Sequence, residues 1–331
     1  MLRIRFASVA TIALVAGISV LSACTSAPAP AAPKASTSQA PETPNLIISI
    51  LPLAENVPVY AAEKLGYFKE EGLTVETKIV GGGAEAIPVL QAGKLHMAYS
   101  NIVSTVLAKS QGIDLVITYP GVEARTKGPD FARLMVAANG PIKTAKDLEG
   151  KRIAVNNLQS INWLFARESL EKQGAATDKL QWREIGFAES NDALINNMVD
   201  AIMQGEPFAT VLLEAKKGSV LLYPYIEAQQ GINVSQFVAI KKWTDENPIT
   251  VRKFQQAIGK AVKLLNSDEK QARELNVAFS KLPPELKDKV ILPVWSTAPS
   301  QKAIQESADL MVKHGMLKQK FDTSPLLLKS Y

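Results

Sequence analysis

The amino-acid sequence predicts an α/β fold with a largely parallel sheet. Short apolar runs, typical of buried strands, alternate with segments in which apolar residues recur every three or four positions, the spacing of one helix face. This alternation occurs in both halves of the chain. Hydrophobic residues make up 47% of the 331 residues, which is enough to bury one large core or two smaller ones.

The predicted elements of the first half begin at Asn45. Residues 46–51 form an isoleucine-rich run that predicts a buried strand, and Pro58 opens a predicted helix that ends near Gly72. The elements that follow are predicted strands at 73–80, 95–99 and 113–119, separated by helices that end near Gly93 and Gly112.

The second half repeats this order of strands and helices. The predicted elements are strands at 152–155, 180–185, 210–213 and 237–241, a helix that ends at Gly174, and a helix at 193–203. The rest of the chain is predicted to be helical. Apolar residues at 251, 254, 258, 262 and 265 mark one helix face there, and those at 304, 308, 311 and 312 mark another.

Composition excludes several kinds of site. The formal net charge is only +5, and no run of five Lys or Arg residues occurs, so we predict no nucleic-acid partner. Cys24 is the only cysteine, which excludes an intramolecular disulfide and a cysteine-based zinc site. His96 and His314 are expected to be ordinary structural residues. Because no nucleotide-binding, hydrolase or metalloprotease motif occurs, we predict no catalytic residue, cofactor or metal.

The first 23 residues predict a secretory signal peptide. Arg3 and Arg5 give a basic start, residues 7–20 form a short apolar core, and small residues precede Cys24. The apolar run is shorter than the roughly 20 residues that a membrane-spanning helix needs. We therefore expect export and removal of this segment, with an anchoring helix as the alternative.

The sequence Leu21-Ser22-Ala23-Cys24 resembles the bacterial lipoprotein box. The resemblance implies cleavage before Cys24 and lipid on its sulfur, which would anchor the protein to a membrane. Residues 25–44 are almost entirely Ala, Pro, Ser and Thr, with no apolar periodicity to offset the entropy of ordering. We expect residues 24–44 to be a disordered tether outside the cytoplasm. Thr25 leaves open whether the source has one membrane or two.

Four blocks of sequence resemble one known family. In order along the chain they are YAAEKLGYFKEEGL at 60–73, three glycines at 81–83 followed by LQAGKLHMA at 90–98, DLEGKRIAV at 147–155, and Asp200-Ala201 followed by Glu206-Pro207-Phe208. Together they resemble the nitrate/sulfonate/thiamine-precursor family of periplasmic binding proteins. His96 departs from the family pattern, which has an aspartate at this position.

The resemblance implies a two-lobed periplasmic-binding-protein fold of type II with two crossover strands. We place the crossings near 136–139 and 237–243, so that lobe 1 comprises 45–138 plus 241–331 and lobe 2 comprises 139–240. It further implies a monomeric, non-enzymatic solute-binding protein of an ABC importer. Such a protein captures a small molecule between its lobes and delivers it to a permease that works with an ATPase.

The candidate ligand-binding residues follow from this architecture. In open α/β sheets ligands bind beyond the carboxyl ends of the strands, where loops lead into helix N-termini whose free N–H groups favour anions or carbonyl oxygens. Two tyrosines end strands at this edge, and a tryptophan lies on the next helix. The candidates from these turns and aromatic positions are Gly81, Gly82, Gly83, Tyr99, Ser100, Asn101, Tyr119, Asn156, Asn157, Gln159, Ser160 and Trp163.

Candidate residues of both charges occur, so the charge of the ligand stays open. Glu55, with its neighbour Asn56, and Glu206 suit an amine or a heterocycle N–H, whereas Arg125 and Lys127 suit an anion. The helix N-termini favour a small polar organic ligand of sulfonate or carboxylate type. A thiamine-precursor-type pyrimidine is the alternative.

Two other classes of protein are weighed against a binding protein. Pyrimidine synthases of thiamine biosynthesis share the resemblance, but they carry a cysteine-rich site, and this chain has only Cys24. A surface adhesin is the third class, which the long regular alternation of strands and helices disfavours.

Overall fold

The computed structural model describes residues 39–328, in which strands and helices alternate. The strands are β1 Asn45–Ile50, β2 Thr74–Ile79, β3 Ala98–Asn101, β4 Leu115–Pro120, β5 Val122–Glu123, β6 Arg133–Ala137, β7 Arg152–Val155, β8 Gln181–Glu184, β9 Ala201–Gln204, β10 Gly218–Leu222, β11 Ser235–Ile240 and β12 Val294–Trp295. The helices are α1 Val57–Lys64, α2 Tyr67–Glu70, α3 Gly83–Gln91, α4 Ile102–Ser110, α5 Ile161–Lys172, α6 Phe187–Ile195, α7 Phe208–Glu214, α8 Pro224–Ala228, α9 Lys241–Glu246, α10 Pro248–Ser267, α11 Glu269–Ser280 and α12 Gln301–Lys313.

Five strands from the two ends of the described chain form what we call the first sheet. Strand β1 pairs in parallel with β2, and a parallel bridge between Ile48 and Met97 joins β1 to the segment that leads into β3. Strand β11 is antiparallel to both β3 and β4. The order of the first sheet is therefore β2-β1-β3-β11-β4.

The second sheet repeats this arrangement with the middle part of the chain. Its order is β8-β7-β9-β6-β10, with β8, β7 and β9 parallel to one another and β6 antiparallel to both β9 and β10. In each sheet three parallel strands thus lie beside an antiparallel one. The carboxyl ends of β1, β2 and β3, and those of β7, β8 and β9, are where ligand-binding loops are expected.

The chain passes between the sheets twice, through residues 124–132 and 229–234. The start of the first passage lies beside the end of the second, because the Ala124 amide donates to the Ile232 carbonyl at 3.1 Å and the Val234 amide donates to the Val122 carbonyl at 2.9 Å. Both passages precede the crossings expected at 136–139 and 237–243. Strands β6 and β11 are buried and fully paired within their own sheets, and the sequence alone does not show to which sheet a short apolar strand belongs.

Three predicted elements differ from the structure. The helix predicted from Pro58 to Gly72 is broken into α1 and α2 at Gly66, whose φ is 80°. The helix predicted at 193–203 comprises the end of α6, a turn and strand β9, whereas the strand predicted at 210–213 lies inside helix α7. Runs of only a few apolar residues fit either structure, and burial of every residue of β9 decides for the strand.

Helix α10 confirms the predicted apolar face of the C-terminal region. The five apolar residues predicted to share one side, at positions 251, 254, 258, 262 and 265, are all buried. In α12 the residues at 304, 308 and 311 are buried as well. These helices follow β11 in sequence, and α10 contacts α1 and α2 of the first sheet's side of the molecule.

The first described residues are held against helix α10. The Glu42 carboxylate accepts hydrogen bonds from the Ile249 and Thr250 amides at 3.0 and 2.8 Å, at the first turn of α10. The compact unit accordingly begins at Gln39, whereas the sequence predicted a disordered tether as far as residue 44. A carboxylate at a helix N-terminus is stabilising, which explains why this segment docks. The signal peptide, Cys24 and residues 24–38 lie outside the described residues.

None of the helices within residues 39–328 combines the length and apolar character that a bilayer crossing requires.

Candidate functional site

A cavity lies where the carboxyl ends of the two sets of parallel strands face each other. Its free volume of about 30 Å³ holds roughly two water molecules, so an organic ligand enters only when the two sides move apart. The lining residues are Leu51, Leu53, Glu55, Gly82, Gly83, Tyr99, Asn101, Ala132, Asn156, Ile161, Asn162, Phe187, Gln204, Gly205, Tyr225, Val234 and Ser235. Both sheets contribute, and six of the sequence-predicted site residues are among them.

The glycine turn after β2 contacts the asparagine loop after β7. Asn156 Nδ2 donates to the Gly81 carbonyl at 2.9 Å, and Asn157 lies directly against Gly82. A Cβ on Gly82 would collide with the Asn157 side chain and lie 2.8 Å from Asn156 Nδ2. The Gly82 backbone is extended, with φ of 163°, a conformation that any residue can adopt. The close approach of the two loops is therefore what requires glycine.

The turn after β3 makes a second contact between the two sides. The Asn101 side chain accepts from the Ser104 amide at 2.9 Å and so caps helix α4, while its Nδ2 donates to Ser160 Oγ at 2.9 Å. Ser100 lies directly behind Gly83, so a Cβ on Gly83 would collide with the Ser100 side chain. The N-termini of α3, α4 and α5 consequently meet at the cavity. Amide groups at helix N-termini favour negative or carbonyl oxygen atoms, although the Ile102 and Ser104 amides of α4 already donate to the Val234 carbonyl and to Asn101.

Glu55 is the ionisable carboxyl group of the cavity wall. Its Oε2 accepts from the Tyr99 hydroxyl at 3.0 Å and from Ser235 Oγ at 2.9 Å, and these two hydroxyls are themselves 2.6 Å apart. Its Oε1 has no hydrogen-bond partner among the residues that the structure describes. Burial raises the pKa of Glu55 to about 7, with a smaller contribution in the same direction from the Asp130 carboxylate and the opposite effect from the hydrogen bonds of Ser235 and Tyr99.

Four polar residues that sequence reasoning missed also line the cavity, namely Asn162, Gln204, Tyr225 and Ser235. Asn162 Nδ2 donates to Asn156 Oδ1 at 2.7 Å, and the Tyr225 hydroxyl donates to Asn162 Oδ1 at 2.7 Å, which fixes the loop after β7. Gln204, at the end of β9, donates to the Phe187 carbonyl at 3.0 Å. Phe187 and Gln204 follow or end strands of the second sheet, so the rule about carboxyl ends could have found them.

Ser235 and Tyr225 carried no such signal. Ser235 reaches the cavity because β11 pairs with β3 and β4, which are more than a hundred residues away in sequence. Tyr225 lies in the short helix α8, which packs against α5.

Glu206 lies outside the cavity wall and is held by other partners. Its carboxylate pairs with the buried Arg133 guanidinium and accepts from Thr210 Oγ1 at 2.9 Å and from the Ile291 amide at 3.0 Å. Burial is the largest influence on its pKa and raises it, although Arg133 acts in the opposite direction. This carboxylate is therefore a neutralised structural group and not a free charge facing a ligand.

Eight further sequence-predicted residues do not line the cavity. Four of them, Gly81, Ser100, Asn157 and Ser160, support the lining residues from behind or beside. Four lie apart: Tyr119 is buried in β4, Gln159 is exposed at a φ of 50°, Trp163 packs near Trp182, and Asn56 is buried with both side-chain amide atoms unpaired. Trp163 is half-buried on the side of α5 that it shares with Arg167, whose guanidinium lies over its ring, and it packs against the core from outside the cavity.

No lysine, arginine or histidine among the described residues lines the cavity. Arg125 and Lys127 lie in the first passage between the sheets, where Arg125 Nη2 donates to the Leu292 carbonyl at 3.2 Å. An anionic ligand would therefore rely on backbone amides and neutral side chains. The single carboxyl group of the wall acts in the opposite sense.

Both histidines have local partners. His96 Nδ1 accepts from the Ile47 amide at 2.9 Å, and burial lowers the pKa of this ring. His314 Nε2 lies 2.8 Å from Glu168, with Glu171 nearby, in an arrangement close enough to hold a metal ion. Lys313 already pairs with Glu168, and the absence of a metal site stays a prediction.

Comparison with known proteins supports the architecture. A family model described as NMT1/THI5 like matches residues 54–272, about two thirds of the chain. A solved structure of the alkanesulfonate-binding protein SsuA from Xanthomonas axonopodis pv. citri, bound to MOPS, superposes with a TM-score of 0.73 at 19% identity and covers 86% of this chain and 98% of that one. The two repeated sheets joined by two passages are the two-lobed α/β fold of type II periplasmic binding proteins, as predicted.

Two relatives show the range of ligands among similar proteins. A protein of Escherichia coli (strain K12) that is named as an aliphatic sulfonates-binding protein is 23% identical over 250 residues, which are 72% of this chain and 75% of that protein. A formylaminopyrimidine-binding protein of Halalkalibacterium halodurans is 24% identical over 165 residues, which are 50% of this chain and 48% of that protein. With the family model spanning most of the two lobes, the chain belongs to the NMT1/THI5-like family.

Proposed function

We propose that this protein is the solute-binding component of an ABC importer and captures a small polar organic molecule between its two lobes. The observation that carries the proposal is the cavity at the facing carboxyl ends of both sheets, where the N-termini of α3, α4 and α5 meet. Relatives named for sulfonate and formylaminopyrimidine binding support it. The protein would deliver its ligand to a membrane permease that is driven by an ATPase.

The proposed ligand-binding groups are those of the cavity wall. Glu55, Gly82, Gly83, Tyr99, Asn101 and Asn156 were predicted from the sequence, and Asn162, Gln204, Tyr225 and Ser235 join them from the structure. The two passages at 124–132 and 229–234 would act as the hinge between the lobes. We propose that the protein acts as a monomer and without catalysis, in keeping with the solute-binding proteins that it resembles.

The helix N-termini favour a ligand with a sulfonate or carboxylate group, and the alternative is a pyrimidine of thiamine-precursor type. The specific observation that favours the alternative is Glu55, a carboxyl group with an unpaired oxygen in the wall. A thermal-shift panel tests the proposal, with aliphatic and aromatic sulfonates and carboxylates in one group and pyrimidines and amines in the other. We expect saturable stabilisation by members of the panel, without conversion to a product. Turnover of any bound compound would argue for an enzyme.

We further propose that the protein is exported and anchored outside the cytoplasm by lipid on Cys24. The support is the lipoprotein-box resemblance at residues 21–24 and a basic, apolar leader before it. In cells, Cys24→Ser should move the protein from the membrane fraction to the soluble or secreted fraction. Unchanged membrane retention of that variant would refute the anchor without affecting the proposal of solute binding.

A further inference from the structure

We propose that Glu55 determines the specificity of the cleft and selects a ligand that carries both an acidic or carbonyl group and a hydrogen-bond-donating nitrogen. This inference rests on the proposed function and names the ligand class more narrowly. It joins two features of the same cavity that favour opposite kinds of group.

The first feature is the unpaired oxygen of Glu55. The side chain lines the cavity, and Oε2 is already occupied by Tyr99 and Ser235, while Oε1 accepts nothing from the described residues. Because Glu55 lines the cavity, a donor group on a bound ligand could bond to this oxygen. No basic side chain of the described residues lines the wall, so an amine or N–H group of the ligand would meet no competing cation at this oxygen.

The hydrogens available around Glu55 indicate its protonation state before a ligand binds. Three short contacts connect the Tyr99 hydroxyl, Ser235 Oγ and Glu55 Oε2, at 2.6 to 3.0 Å, but the two hydroxyl groups supply only two hydrogens. A proton on the carboxyl group would complete the ring, in agreement with its raised pKa. An ammonium group at Oε1 would favour the ionised form, so its binding should expel the proton to solvent.

The second feature is the group of helix N-termini that would face the other end of the ligand. Gly83, Asn101 and Ile161 mark the starts of α3, α4 and α5 at the same cavity. Amides at these starts suit a sulfonate, carboxylate or carbonyl oxygen. A molecule that presents an acceptor group to these amides and an amine or ring N–H to Glu55 would satisfy both sides, whereas a plain alkanesulfonate would leave Glu55 against a methyl group.

Two probes of equal heavy-atom number test the inference by isothermal titration calorimetry. They are 2-aminoethanesulfonate and propane-1-sulfonate, which differ only by an ammonium group in place of a methyl group. We expect the amine to bind the wild-type protein at least tenfold more tightly. Titration at pH 7 in two buffers of different ionisation enthalpy should show net proton release for the amine alone.

Glu55→Gln should remove the discrimination, because it retains the side-chain shape but presents a donating NH₂ or an uncharged oxygen to the ammonium group. We expect the amine to lose at least tenfold in affinity, propane-1-sulfonate to change by less than about twofold, and the proton release to vanish. Glu206→Gln is the matched control, since this buried carboxyl group lies outside the cavity wall. It should preserve the ratio of the two affinities even where it lowers stability.

The possible outcomes separate the inference from the proposed function. Equal affinity for the two probes, or an unchanged ratio in a folded Glu55→Gln variant, would overturn the inference and leave a solute-binding function standing. Failure of both probes and of 4-aminopyrimidine to bind saturably would overturn the inference and count against the proposed ligand range as well.

Discussion

Glu55 carries the most consequential electrostatics of the molecule at the scale of single residues. Its pKa is raised from 4.5 to about 7 by burial, so the folded state holds a proton that the unfolded state releases. Its contribution to stability is complete below about pH 4.5 and is lost as the pH rises through about 7. We predict that the free energy of unfolding falls by about 3 kcal/mol over this range because of Glu55 alone.

Urea denaturation at a series of pH values measures this loss. Glu55→Gln should flatten the profile between about pH 5 and pH 7.5, leaving the smaller slope from Asp130, whose pKa is raised by burial to about 6. A variant with the same slope as the wild-type protein would show that Glu55 is ionised throughout in the folded state.

Gly82 is the second residue whose role is local. Gly82→Ala places a methyl group where the Asn157 side chain lies, so the turn after β2 and the loop after β7 must separate. We predict at least a tenfold loss of affinity for 2-aminoethanesulfonate, measured by calorimetry, which is about 1.4 kcal/mol. Gly259→Ala is the control, because a Cβ there makes only ordinary contact at 3.5 Å from the Tyr119 hydroxyl. Wild-type affinity in Gly82→Ala would place the ligand elsewhere.

Helix α10 illustrates an element that is completed by a distant segment. Glu42 holds the first two amide groups of α10 and the Thr250 hydroxyl, more than two hundred residues away in sequence. Glu42→Ala should cost about 1 kcal/mol of stability, as is typical for loss of a helix cap. The mutation Glu63→Ala at an exposed position of α1 is the control and should change stability by less than about 0.5 kcal/mol. Equal denaturation midpoints for the two variants would mean that the segment is not held.

The elements also show how far sequence patterns reach. Long or strongly periodic elements such as α10 were predictable, because one helix face repeats over several turns. Strand β9 and helix α7 were not, since four to seven apolar residues fit a strand or a helix equally well until tertiary packing decides. The docking of residues 39–44 was missed because Glu42 has its partners at the other end of the chain.

At the scale of the whole molecule, the order and direction of the strands determine which residues meet at the candidate site. Gly82, Asn101 and Asn156 were predictable because each follows the carboxyl end of a parallel strand. Ser235 and Tyr225 depend on how the chain returns from the second sheet to the first, which no local pattern encodes. Glu206 was misplaced for a related reason, because its partner Arg133 is distant in sequence and neutralises it in the core.

We expect the two lobes of the molecule to move relative to each other when a ligand binds. The contacts of Asn156 with Gly81 and of Asn101 with Ser160 cross the cleft, and the adjoining passages at 124–132 and 229–234 can serve as a hinge. We predict that saturating 2-aminoethanesulfonate reduces the radius of gyration in small-angle scattering, because it favours the closed arrangement. An identical profile with and without the ligand would argue against closure, although not against binding.

Capture of a small organic molecule in the cleft is tested most directly by what the protein carries from its native host. Wild-type protein and the Gly82→Ala variant would be purified in parallel, denatured, and the released compounds identified by mass spectrometry. The account predicts one compound from the wild-type protein, close to one molecule per chain, with both an acidic or carbonyl group and a nitrogen that donates hydrogen bonds, and far less of it from the variant. Equal yields from the two proteins, or a compound without such a nitrogen, would contradict it.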